Sequence, residues 1–216
     1  MANVITIKKG LDINLKGKAP ESMLKAGKSA TYAIVPDYYT GIVPKVVVRP
    51  GDKVKAGSAL MTDKNRPEIK FVSPVSGEVV AVNRGEKRKV LSIVVKPDAQ
   101  IEYENFGKKN VSSLKAEEVK AELLNAGMWP FIKQRPYDIV ASPSDSPRDI
   151  FVTAFNSAPL APNFDFLVKG NEADLQAGLD ALAKLTNGKV YVGVKKGSSV
   201  KVNHVETIEF EGPHPA

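Results

Sequence analysis

From Pro44 to Pro97 apolar and polar residues alternate in short runs broken by turn residues, the period-two signature of strands buried on one face. Lys45-Val-Val-Val-Arg-Pro-Gly-Asp-Lys-Val-Lys-Ala-Gly-Ser-Ala-Leu60 predicts a strand, a turn at Pro50-Gly51-Asp52, an alternating Val54 and, after Gly57, a second strand. Phe71-Val-Ser-Pro-Val-Ser-Gly-Glu-Val-Val-Ala-Val82 repeats the scheme, and Lys89-Val-Leu-Ser-Ile-Val-Val95 closes it. Short strands evenly spaced between glycines predict a small β-barrel or sandwich.

Beyond Pro97 the period lengthens to that of a helix. Ser112 to Gly127 has a serine at the cap, Glu117 and Glu118 early, Val119 and Leu123 one turn apart, and glycine as the stop. Strands are predicted at Tyr137 to Ser142, Asp149 to Phe155 and Phe164 to Val168. A second helix runs from Glu172 to Thr186 with Leu175, Leu179, Leu182 and Leu185 on one face, ended by Asn187-Gly188. Lys189 to Val194 and Val200 to Phe210 read as further strands. Strand, helix and strand with crossovers of this length predict a Rossmann-like parallel sheet.

The chain is therefore read as an α+β multidomain protein. Residues 1–43 form a segment packing on the other domains, 44–97 the β domain, 98–110 a linker and 111–216 the α/β domain. So few strands make a narrow sheet, and Glu211-Gly-Pro-His-Pro-Ala216 stops abruptly, so the expectation is an N-terminal piece of a longer protein with the α/β domain incomplete.

Charge adds an asymmetry. The net charge of +7 resides between Lys45 and Lys96, with twelve Lys/Arg against five Asp/Glu, while the remainder sums to zero. Such an excess is either a solvated set of hairpin faces or a surface for acidic partners, anionic headgroups or nucleic acid. Basic residues cluster there without an aromatic stacking platform, so nucleic acid is not expected. The chain has no cysteine, which excludes a disulfide framework, a thiolate nucleophile and cysteine-held zinc or iron–sulfur centres within it. Two histidines, His204 and His214, are too few for a histidine metal centre. The longest apolar runs, such as Ile150 to Phe155, fall far short of the roughly 20 residues that span a bilayer. The first residues carry no signal-peptide pattern, so the chain is expected in the cytoplasm.

No serine sits in a Gly-x-Ser-x-Gly elbow and neither histidine has an evident partner, so no catalytic constellation is expected. Ser142-Pro-Ser-Asp-Ser-Pro-Arg148 could meet an anion but suits a surface turn better. Trp129-Pro-Phe-Ile-Lys-Gln-Arg-Pro-Tyr137 is the densest aromatic and basic cluster. Trp129, Phe131, Lys133 and Arg135 are the candidate contact to a quinone or a partner, against the alternative that Trp129 and Phe131 pack beneath the preceding helix.

Val-x-x-Gly-Asp-x-Val-x-x-Gly-x-x-Leu up to Leu60, then Thr62-Asp63-Lys64, then Ser73-Pro74-x-x-Gly77-x-Val79, resembles the biotinyl/lipoyl-carrier fold, a flattened barrel sandwich. That resemblance makes Lys64 a candidate carrier lysine, the alternative being an exposed lysine on a structural barrel.

Over nearly the full length the chain resembles the A-subunit family of bacterial sodium-translocating NADH:quinone oxidoreductases. The stretches that carry this are Ile5 to Gly17, Val48 to Gly57, Ser73 to Glu86, Trp129 to Asp138, Pro147 to Ala154 and Gly212 to Ala216. The resemblance implies a translocase subunit that is peripheral, on the cytoplasmic side of the inner membrane. Its complex would pass electrons from NADH to ubiquinone in a respiratory chain, exporting sodium. It implies integral membrane subunits as partners, with NADH, flavins and an iron–sulfur centre on other subunits. The fold is similar to the flavin-carrying peripheral subunit of respiratory complex I, where a glycine-rich loop after the first helix binds flavin. Here Met128-Trp-Pro-Phe-Ile-Lys-Gln-Arg135 stands in that place, so the expected role is docking or quinone association without a flavin, and no catalysis by the chain alone. A flavin- or nucleotide-binding electron-transfer domain is the alternative function, and a carrier module using Lys64 a further one.

Overall fold

The structure is a computed structural model and describes residues 3–17 and 20–215. In chain order its elements are β1 (Asn3–Thr6), β2 (Tyr32–Ile34), β3 (Pro44–Val46), β4 (Lys53–Val54), β5 (Ala59–Asp63), β6 (Lys70–Val72), β7 (Gly77–Arg84), β8 (Val90–Pro97), α1 (Ala116–Asn125), β9 (Lys133–Gln134), β10 (Ile139–Val140), β11 (Ile150–Thr153), α2 (Phe164–Val168), α3 (Glu172–Ala183), β12 (Val190–Lys195) and β13 (Glu206–Glu211). They fall into two compact units, one of residues 26–109 and 117–145, the other of residues 1–25, 110–116 and 146–216.

The first unit is the barrel sandwich. A four-stranded antiparallel sheet, β2-β8-β7-β4, and a three-stranded one, β3-β5-β6, enclose a core that includes Leu60, Met61, Ile69, Phe71, Val79, Ile93 and Val95, all at most 2% exposed. Alternation along β8 puts Ile93 and Val95 inside, and an irregularity in the β5–β6 register lets the consecutive Leu60 and Met61 both turn inward. The predicted turn forms at Gly51, whose φ is +96°, and Asp52 closes it by accepting from the Arg49 amide at 2.7 Å. The Ser73-Pro-Val-Ser76 motif has a structural task. Ser73 and Ser76 are buried, Ser73 Oγ donating to the Val75 carbonyl at 2.6 Å and Ser76 Oγ accepting from the Glu102 amide at 2.9 Å.

The stretch 98–110, expected as a linker, runs along this barrel. Ala56 donates to Glu102 O and accepts from the Glu104 amide, and Ser58 Oγ donates to Glu104 at 2.7 Å. Its polar composition serves backbone pairing with the barrel wall. α1 from Glu117 onward, expected in the α/β domain, also groups with the barrel: Lys70 Nζ donates to Asn125 Oδ1 at 2.8 Å, and Gly127 lies against Val72. The segment 1–43 divides, residues 26–43 joining the barrel unit through β2 and the first 25 joining the other unit.

The second unit holds a four-stranded parallel sheet in the order β1-β13-β12-β11. α3 lies on one face, where Leu179 meets Val190, Val192 and Val194, and Leu175 and Leu182 pack beside it. The parallel sheet and its helical crossover follow the period change in the sequence. Several elements differ from expectation, three of them through a single polar side chain. Phe164 to Val168 is a helix, since Asn163 caps it by accepting from the Asp165 amide at 3.1 Å, and a short apolar run carries no period of its own. The last strand begins at Glu206, because the Asn203 amide is taken by Gln176 Oε1 of α3 at 2.8 Å and His204 has a φ of +62°. α1 begins at Ala116, not at Ser112, because the Asn110 side chain captures the Ser112 amide at 3.1 Å in a preceding 3₁₀ turn. Ala216 of the C-terminal motif lies outside the described residues.

Candidate functional site

The Trp129–Tyr137 cluster begins where α1 stops. Gly127, with φ +68°, turns the chain tightly over β6, and a Cβ there would collide with the Val72 side chain. One 3₁₀ turn follows, Trp129–Phe131, with Pro130 at its start, and it delivers the chain into the β9–β10 hairpin. The predicted strand 137–142 is thus reduced to two residues paired with β9. Trp129 is 4% exposed, and its indole N–H donates to the Ala141 carbonyl at 2.9 Å. It is a core residue closing the hairpin, as buried tryptophans that find an acceptor commonly are.

Phe131 points the other way and is 69% exposed, in a stretch where Met128 and Tyr137 are also exposed. Lys133 and Arg135 converge on Asp138, at 3.2 and 3.8 Å, and Asp138 adopts a φ of +54° in the hairpin turn. The four expected residues therefore separate into one buried anchor and three surface groups. Asp138, which pairs with both cations, was missed in that role. Its signal was the hairpin itself, whose register pairs Lys133 with Val140 and Gln134 with Ile139 and so leaves Asp138 in the turn within reach of both cations.

The hairpin is tied to the barrel by an ion pair whose carboxylate is buried and whose guanidinium is half-buried. Arg66 donates to Asp63 at 2.7 Å, to the Val140 carbonyl at 3.2 Å and to the Gly41 carbonyl at 3.0 Å. Asp63, 1% exposed, also accepts from the amides of Val43 and Asn65. Lys64 is the first residue after β5, and its amide is bonded to the Val43 carbonyl at 2.7 Å. Its side chain is exposed, but it stands at the base of the loop leading to β6 rather than at the outer tip a carrier lysine occupies. Pro67 sits in that loop, clear of the ladder.

In the second unit the carboxyl edge of the parallel sheet is where α/β domains take ligands. Asp165 lies there, accepting from Ser198 Oγ at 2.6 Å, the Ser199 amide at 2.7 Å and Ser199 Oγ at 3.0 Å. Burial pushes its carboxyl up, and the three hydrogen bonds outweigh this and hold it below the usual value. Beside it an open groove of about 550 Å³ is lined by residues including Asn163, Asp165, Lys169, Glu172, Ser199 and Lys201. The N-terminus of α3 faces no phosphate cradle. The Glu172 carboxylate accepts backbone N–H bonds from Glu172 and Gly170, which lower its pKa. Both histidines have partners the sequence did not disclose: His214 Nδ1 with Ser157 Oγ at 2.8 Å, and His204 with Asp180 at 3.3 Å.

The Ser142–Arg148 stretch is a turn. Ser142 and Ser144 bond each other at 2.8 Å, and Arg148 pairs with Asp149 at 2.8 Å. Among the described residues no group of His, Asp and Glu could hold a metal ion, and no helix is long and apolar enough to cross a membrane.

The model of the NqrA N-terminal barrel-sandwich hybrid domain matches residues 5–98, and that of the NqrA second alpha/beta domain matches residues 114–216. The A-subunit of the Na(+)-translocating NADH-quinone reductase of Vibrio vulnificus is 40% identical over 99% of this chain and 49% of its own length. The protein of the same name from Photorhabdus laumondii is 37% identical over 99% of the chain and 49% of its own length, and that from Shewanella amazonensis 37% over 99% and 48%. The chain spans about half the length of the curated relatives it matches.

Proposed function

The chain belongs to the NqrA family, with that family's first and second domains in order, and from that premise we propose that it serves in a sodium-translocating NADH:quinone reductase as a peripheral subunit on the cytoplasmic side of the inner membrane. It docks to the other subunits, integral membrane subunits included, and contacts quinone or a neighbouring subunit through Phe131, Lys133 and Arg135. NADH, flavins and the iron–sulfur centre belong to those other subunits, and catalysis belongs to the complex.

The observation that carries this reading is the state of the segment where flavin-binding relatives would need glycines. Trp129 and Pro130 are buried there, which supports a segment without the close backbone approach that a phosphate cradle needs. The acidic start of α3, with Glu172 on its own amides, adds to the argument against a bound nucleotide. An exposed Phe131 beside two cations sharing one carboxylate suits a planar, uncharged headgroup, which needs a π face and one or two donors.

Trp129 is the only tryptophan and reports on its surroundings. Titration with a soluble quinone is expected to quench its fluorescence, while flavin mononucleotide and NADH leave it unchanged. Phe131→Ala is expected to abolish the quinone response without unfolding the hairpin, since the ring is exposed. Flavin binding at micromolar concentration would replace this reading with an electron-transfer domain. An intact mass heavier by a lipoyl or biotinyl group would replace it with a carrier that uses Lys64.

A further inference from the structure

The positive charge of the barrel unit is unevenly answered. Lys53, Lys55 and Lys89 each face a carboxylate, on Glu78, Glu102 and Asp37, and Arg66 is bound to Asp63. Arg84, Lys87 and Arg88 share the tip of the β7–β8 hairpin with one carboxylate, Glu86, and among the described residues none of the three cations has an ion-pair partner. β4 pairs only with Gly77 and Glu78 of this hairpin, and β2 only with Ile93 to Val95. The part from Ala81 to Arg84, with Val90 to Ser92 opposite, therefore has no flanking strand among the described residues, and β8 runs about 10 Å past its last pair with β2.

The turn itself is built around the cations. Lys87 and Arg88 are consecutive left-handed residues, with φ of +51° and +62°, a conformation that glycine or asparagine adopts more easily. Arg84 steadies it by donating to the Arg88 carbonyl at 3.1 Å, and the Gly85 amide donates to the Lys89 carbonyl at 2.8 Å. Cations held where glycine fits better point to a use for the charge. Leu91 lies directly against Gly85, where a Cβ would come within 3.3 Å of its two methyl carbons, and it is 44% exposed. The Asp37–Lys89 ion pair brings the 3₁₀ turn Pro36–Tyr38 alongside, and Tyr38 is 77% exposed.

Cations around a leucine, with a tyrosine beside them, match the layers of a bilayer surface, phosphates outermost and acyl carbon beneath. A purely acidic protein surface answers the cations but offers nothing to the leucine. We propose that the β7–β8 tip rests on the cytoplasmic leaflet, with Arg84, Lys87 and Arg88 pairing with the phosphates of anionic lipid headgroups and Leu91 reaching the acyl boundary. This rests on the reading of the chain as a subunit at the membrane and adds to it a contact with lipid, separate from any contact with another subunit. A subunit held at the leaflet searches for its membrane partners in two dimensions, so the tip serves assembly without touching them.

Sedimentation of this chain with phospholipid vesicles tests it. Binding is expected to vesicles of phosphatidylcholine and phosphatidylglycerol in equal parts, not to phosphatidylcholine alone, and is expected to weaken as salt screens the charges. Reversing Arg84, Lys87 and Arg88 together to glutamate is expected to lower the bound fraction by about ten-fold or more, and Leu91→Ser to lower it at every salt concentration. The same reversal at Lys45, Lys96 and Lys108, exposed cations of the same unit, is expected to change it far less, and thermal melts verify that each variant folds. Equal sedimentation with neutral and anionic vesicles, or an equal loss in the two triple variants, would overturn the proposal. A tip variant that no longer binds the membrane subunits in neutral detergent, where no leaflet is present, would give the tip to a protein partner and overturn it too. Failure of the unaltered chain to bind those subunits bears instead on the subunit reading, which the vesicle result leaves untouched.

Discussion

Arg66 holds three pieces of backbone with one guanidinium: the loop after β5 through Asp63, the Gly41 carbonyl and the Val140 carbonyl. Removing either member of a buried pair strands the other's charge away from water, which costs about 3–5 kcal/mol. Asp63 is 1% exposed and the Arg66 side chain 20%, so Arg66→Ala, which strands the buried carboxylate, is expected to lower the unfolding free energy by about 3 kcal/mol or more and Asp63→Ala by less, read by urea denaturation, and the double substitution by less than the sum of the two. The glycines separate by the same logic. Gly127→Ala must place a Cβ into Val72 at φ +68°, whereas Gly170, at φ +85°, has open space around it. The first substitution is expected to cost clearly more than the ~1–2 kcal/mol of left-handed strain that alone burdens Gly170→Ala, as compared by thermal melts. Asp165 gives a pH dependence. Its folded pKa is depressed, so its contribution to stability is fully present above the unfolded value near pH 4 and is lost as pH falls through the lower folded value. An NMR titration of its carboxyl is expected to show a midpoint below that of a free aspartate, and Ser198→Ala to raise it.

At the level of elements, strands and helices with a long clean period were legible in the sequence. β5, β7, β8, α3 and β12 stand close to where alternation and leucine spacing put them. What escaped was set by single polar side chains acting at a distance. Asn163 turned an apolar run into a helix, Asn110 delayed the start of α1, and Gln176 shortened the approach to β13. The candidate site fared likewise: Trp129 to Arg135 stood out by composition, but only the hairpin pairing divides it into a buried indole and an exposed Phe131 with two cations sharing Asp138. The β7–β8 hairpin carries Arg84, Lys87 and Arg88 at its tip, with Lys87 and Arg88 at φ +51° and +62°. Reversing these three to glutamate is expected to weaken assembly with membrane subunits at low salt more than at high salt, because exposed charges are screened within about 10 Å at 0.1 M. Equal assembly at both salt concentrations would remove the electrostatic role of this tip.

For the whole molecule, the units do not follow the chain in blocks. The barrel wall reaches to Lys109, so a broad-specificity protease is expected to spare 98–104, which is bonded to Ala56 and Ser58, and to cut first around Gly107 to Asn110. Cleavage within 98–104 would return that stretch to the status of a free linker. The second unit closes on itself only through β1, whose partner is β13, Asn3 opposite Ile208 and Thr6 opposite Glu211. On the ribosome the first strand of this sheet to be made is therefore paired with the last of its four. At about 5–20 residues per second the wait is roughly 10–40 s, long enough for the barrel to fold as a finished island between the two ends of an unfinished sheet. A synthesis pause inside the second unit would lengthen the time that β1 stays unpaired and leave the barrel untouched, so nascent chains stalled there should already hold a protease-resistant barrel while the backbone of Asn3–Thr6 still lacks its partner strand.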